Sequence, residues 1–93
     1  MYMTNVSTEV ALNDETRTEI TILATAVLTN RVGIVDMNTQ LRRIAEHAGV
    51  VIGVIFEEVY QQAQVQLDGK EAPSSLKGNV AYQSLVQYHN NRN

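Results

Sequence analysis

Residues 44–58 read IAEHAGVVIGVIFEE, and nine consecutive residues within them, 48–56, carry no charge and no side-chain hydrogen-bonding group. How these nine residues fold decides the architecture. Three readings compete: the middle of one long buried helix, the turn and second helix of a helix-turn-helix, or a buried strand. Outward from this run, Leu41, Ala45, Ala48, Ile52, Ile55 and Val59 recur at spacings of 4, 3, 4, 3 and 4. That is the seam of a coiled-coil type of helix, widened by Ile44, Val51 and Phe56. A helix that is apolar all round is buried all round, so 48–56 is expected at the centre of the fold or of a subunit interface. Val50, Val51, Ile52, Val54 and Ile55 are β-branched and keep the strand alternative open. The helical rhythm runs on smoothly from Leu41 to Val59, which favours a continuous helix over 38–66. Such a helix would be about 29 residues and about 43 Å long.

Further outward, Ile20, Leu23, Ala24, Val27 and Leu28 fall at i, i+3, i+4, i+7 and i+8, an apolar stripe that predicts a first helix over 16–30. Asn13 or Asp14 can cap its free N–H groups, and Glu15 and Glu19 suit the positive end of its dipole. Asn30 and Gly33 tolerate the positive φ that ends a helix. Ile34 and Val35, in the connection that follows, are expected to cover the core, and Asp36 or Asn38 to cap the second helix. Asp68 and Gly69 stop that helix. A loop with the single proline leads to a shorter C-terminal helix containing Val80, Leu85 and Val86, with Ser74 or Ser75 as its cap. Residues 1–12 read as an N-terminal arm and 89–93 as a frayed tail. The fold class expected is all-α: one small helical domain with two main helices and a short third, oligomeric through the long second helix.

Length and composition narrow the function. The chain has 93 residues, 44% of them hydrophobic, a net charge of −3 and no cysteine. Disulfides and thiolate metal sites are therefore absent. A chain this short leaves much of its surface in water, and association is one way to gain burial. The charge balance disfavours a generic nucleic-acid or anionic-membrane surface. The N-terminus has no basic segment followed by an apolar run, and no apolar run spans a bilayer, so the expected location is cytoplasmic. No glycine-rich phosphate loop is present. His47 has no His or Glu at i+4, so no helical metal pair forms, and His89 falls in the polar tail. No cofactor, metal or catalytic residue is expected. Gly49 and Gly53, four apart, have the spacing that lets two helices approach closely. The residues expected at an oligomer interface are Ala45, Ala48, Gly49, Ile52, Gly53, Ile55, Phe56 and Val59. Ile52 lies mid-seam, where a carboxylate would be buried without a partner.

One segment carries a resemblance. LRRIAEHAGVVIGVIFEEV, residues 41–59, resembles the helix-turn-helix of lactose-repressor-type transcription factors. Ile44 and Ala45 fill the family's apolar-Ala step, Ala48 and Gly49 its turn, Val50 the position after it, and Ile55 the anchor of its second helix. The departures fall at the reading positions. Val51 stands where the family caps its recognition helix with Ser or Thr. Ile52, Gly53, Phe56 and Glu57 stand where polar side chains face the groove, and Glu58 stands at an apolar position. Base edges are read by polar donors and acceptors. The favoured function is therefore a non-enzymatic interaction or regulatory module acting through protein contacts and self-association. The alternative that the resemblance implies is a DNA-binding regulator, with Arg31, Arg42 and Arg43 on phosphates.

Overall fold

The computed structural model describes residues 12–92. The expected arm lies outside these residues except for Leu12, which packs against the core. The described chain is all-helical. Helix α1 spans Asp14–Leu28, α2 Ile34–Ala48, α3 Ile52–Leu67 and α4 Val80–Arg92, with a single 3-10 turn at Ser74–Leu76 before α4. Among the described residues there is no strand.

Helix α1 forms as its stripe predicts. The Asn13 side chain accepts the Thr16 N–H at 2.8 Å and so fixes the first turn. Ile20, Leu23, Ala24 and Val27 are buried. Thr21, Thr25 and Thr29 lie exposed, and each hydroxyl donates to the carbonyl four residues back. That local bond satisfies the hydroxyl within the helix, and Thr25 also reaches Gln66 Oε1 of α3 at 3.0 Å.

The continuous helix over 38–66 is not what forms. Gly49 takes φ +71°, ψ 33°, the left-handed conformation that ends a helix. Val50 donates its N–H to the Ala45 carbonyl at 3.1 Å and closes the last turn of α2. Val51 is extended, at φ −71° and ψ 149°, and α3 starts at Ile52. The physical reason is local. Glycine followed by two β-branched residues is a weak helix segment. The 4-3 rhythm survives in sequence because each helix keeps its own apolar stripe and the turn preserves the spacing while redirecting the axis. Helix α2 also begins earlier than expected, at Ile34, with Gly33 as a cap that makes no side-chain hydrogen bond. Val35 therefore does not cover the core; it is 74% exposed on the first turn.

Helix α3 is the centre of the bundle and packs against α1, α2 and α4. Its Ile55, Val59 and Ala63 meet Leu41, Ile44 and Ala45 of α2, the α1 stripe, and Leu76, Ala81, Tyr82 and Leu85 in one cluster. Asp68 and Gly69, both at positive φ, end α3 as expected. The cap of the last helix is Asn79, not a serine: its side chain accepts the Tyr82 N–H at 2.8 Å. Ser74 and Ser75 instead sit in the 3-10 turn that delivers Leu76 to the core.

Helix α3 starts without a side-chain cap and without an acid in its first turn. Val51, at the cap position, is 73% exposed. A serine or aspartate there accepts a free N–H from the first turn while leaving the core untouched. Val51→Asp is expected to stabilise the chain by about 0.5–2 kcal/mol. A urea unfolding midpoint at or below that of the parent protein would show that the α3 terminus is not free to be capped.

Candidate functional site

The unit formed by α2, the turn at 49–51 and α3 is the structural counterpart of the segment singled out in the sequence. Its eight expected interface residues divide into three groups. Ala45, Ile55 and Val59 are buried within the single chain, in its own core. Gly53 and Phe56 are covered by α4. Ala48, Gly49 and Ile52 surround the turn, where Gly49 and Ile52 are exposed and Ala48 is half-buried. Ile52, at 38% exposure, is therefore not mid-core: as the first residue of α3 it faces partly outward. A carboxylate there would sit in water at the positive end of a helix, not buried.

Helix α4 lays its last turns along one stripe of α3. Gly53, Phe56, Glu57 and Tyr60 fall at i, i+3, i+4 and i+7, a single helical face. A Cβ at Gly53 would collide with the Tyr88 hydroxyl, so a larger residue there requires the tip of that side chain to shift. Tyr88 stacks on Phe56 with ring centroids 4.7 Å apart, and His89 stacks on Tyr60 at 4.1 Å. Glu57 lies between the two stacks. Its carboxylate accepts from His89 Nδ1 at 2.9 Å and from Gln61 Nε2 at 2.7 Å, and meets Arg92 Nη1 at 3.3 Å. An ionised carboxylate only accepts, so the proton of this contact belongs to the imidazole.

The expected tail at 89–93 is thus helical as far as Arg92, and His89 is partly buried, not solvated. Sequence spacing could not pair 57 with 89. The clue was the chemistry of the tail, a histidine and an arginine at i and i+3 with an acid pair upstream. His47, by contrast, is exposed on α2.

Burial by itself would raise the Glu57 pKa. Hydrogen bonds from Gln61 and His89, with the charges of His89 and Arg92, outweigh it and hold the carboxyl below its ordinary value. Tyr60 is pushed up by burial and by its neighbours Tyr82 and Glu57. The lowered Glu57 pKa has a definite sign in stability. Its contribution is complete above the unfolded-state pKa and is lost as pH falls through the lower folded-state value. The melting temperature should therefore fall on acidification below the ordinary carboxylate range, and Glu57→Gln should flatten that part of the profile. Profiles of equal slope in both proteins would mean that Glu57 is not held as described.

The arginines do not converge on the start of α3. Arg31 and Arg43 line a cleft of about 540 Å³ between α1 and α2, with Ile22, Ala26, Glu19 and Asp36. Arg43 is already engaged there, 2.9 Å from Glu19 and bonded to Gln40. Arg42 is exposed on α2. Among the described residues no cluster of three His, Asp or Glu side chains could hold a metal ion, and no helix is long and apolar enough to cross a membrane. Searches against protein-family models, curated proteins and solved structures find no match to this chain.

Proposed function

We propose that this protein is a non-enzymatic regulatory module that acts through protein contacts, including contacts with a second copy of itself. The observation that carries the reading is the chemistry of the first turns of α3. Val51 and Ile52 are the side chains they present to solvent, Gly53 and Phe56 are covered, and Glu57 is bound by α4. An apolar start followed by an acid suits another protein surface and repels phosphates. Ala48, Gly49 and Ile52, with Val51, are the part of the expected interface that a second copy could reach.

The second reading is the DNA-binding regulator implied by the resemblance to lactose-repressor-type factors. The left-handed Gly49 at the motif's turn position favours it. Sedimentation equilibrium at micromolar concentration, alongside titration with duplex DNA at several salt concentrations, separates the two. The protein-contact reading expects a mass above the monomer and no salt-steep DNA binding. A monomer whose affinity for the duplex falls steeply with salt would replace it with the second reading.

A further inference from the structure

We infer that the outward face of α1 is the surface on which a second copy of this chain docks, the two α1 helices lying antiparallel about a two-fold axis at Ile22. The inference rests on the self-association in the reading above and places the second copy on α1, not on the turn at 49–51.

Helix α1 carries two stripes. One is the core stripe already described. The other runs Glu15, Thr18, Ile22, Thr25 and Thr29, at spacings of 3, 4, 3 and 4, the seam rhythm of paired helices. All five residues are exposed. Ile22, at the midpoint, is 63% exposed, and among the described residues it is the largest apolar side chain with more than half its surface in water. Ala26 lies one turn on, and the cleft against α2 opens beside both. A second depression, with Thr21, Thr25 and Thr29, flanks Ile22 on the other side. Knob and hollows thus share one patch, which is the shape a two-fold contact requires, since the same surface serves both copies. The threonines do not oppose burial. The hydroxyls of Thr21, Thr25 and Thr29 already donate within the helix, so closing water off leaves no donor unpaired.

Charge names the occupant and its direction. Asp14 and Glu15 stand in the first turn of α1, and Arg31 follows its last turn. The Arg31 backbone N–H bonds the Ala26 carbonyl at 2.8 Å, which folds the residue back onto the helix, and Arg31 lines the depressions on both sides of Ile22. The other charges on this face have local duties. Glu19 is held by Arg43, Arg17 shares a depression with Asp14, and Asp36 stands in the first turn of α2. Among the described residues neither Glu15 nor Arg31 is in an ion pair. In an antiparallel pair centred on Ile22, position 15 of each copy faces position 29 of the other, next to its Arg31. Each Glu15 therefore meets the arginine that each copy leaves unpaired. A parallel pair would set Glu15 on Glu15 and Arg31 on Arg31, and like charges juxtaposed across an interface reject that register. The antiparallel pair also opposes the two helix dipoles. An acid at one end of the seam and a base at the other are complemented by the same seam reversed, which is a second copy of this chain.

The test uses the full chain in two measurements. In sedimentation equilibrium at micromolar concentration the parent protein should be a dimer. Glu15→Arg and Arg31→Glu should each weaken it by about tenfold, and the double variant Glu15→Arg, Arg31→Glu should restore most of the loss. The second measurement exploits the absence of cysteine, so that a single introduced thiol reports its own neighbourhood. Under oxidised glutathione, Ile22→Cys should give a covalent dimer much faster than Val51→Cys does, because facing positions on an antiparallel helix pair fall within disulfide reach. A parent dimer that ignores both charge reversals overturns the inference and leaves the self-association reading standing. Faster cross-linking through Val51→Cys does the same and puts the second copy at the turn. A parent protein that is monomeric overturns both.

Discussion

Ile55→Ala is expected to cost about 2–5 kcal/mol of unfolding free energy, while Ile52→Ala, three residues away, should cost about 1 kcal/mol. Ile55 has no exposed surface and sits on the face of α3 that meets α1 and α2. Removing its side chain loses the transfer free energy of the buried carbons and leaves a cavity between helices that cannot collapse freely. Ile52 begins the helix and is 38% exposed, so less of its side chain leaves water. The contrast extends to charge. Ile52→Asp should be tolerated, because an acid in an otherwise acid-free first turn favours the helix dipole. Ile55→Asp should prevent folding, because a lone carboxylate would be buried. Urea denaturation of the two alanine variants is sufficient. Equal losses at the two positions would mean that the register of α3 is wrong and that both residues share the core.

Gly49→Ala is the second large effect, with an expected loss of about 1–2 kcal/mol, the cost of placing a Cβ in the left-handed region. No neighbouring atom crowds the position, so the cost is conformational and not steric contact with another element. Gly49→Asn should recover part of it, since asparagine tolerates this region better. The order glycine, asparagine, alanine in unfolding midpoint is thus the signature of the turn. An alanine variant as stable as the parent would restore the single long helix, where alanine is the better residue by about 0.5–1 kcal/mol.

Much of the helical content was legible because it rests on local chemistry. The stripe from Ile20 to Val27, the Asn13 cap and the Asp68 and Gly69 stop depend on residues within a turn of one another. The apolar seam correctly named Leu41, Ala45, Ile55 and Val59 as buried, yet it assigned them to one helix and left open whether the centre of the fold or a subunit interface buries that run. A period alone does not say whether the axis bends between two stripes. At Gly49 the decision was a small one, with the propensity of a glycine and two valines set against the spacing.

What the sequence by itself determined is the set of side chains that must leave water and the places where helices start and stop, since both follow from neighbours along the chain. What only the tertiary structure decided is which chain surface does the covering. The single chain buries Ile55 and Val59 against its own α1 and α2. Helix α4 returns across a loop to set Tyr88 over Gly53 and to join His89 and Arg92 to Glu57. These partners are more than thirty residues apart. Their meeting depends on the connection after α3 and on Leu76 being drawn into the core, and no local spacing encodes it.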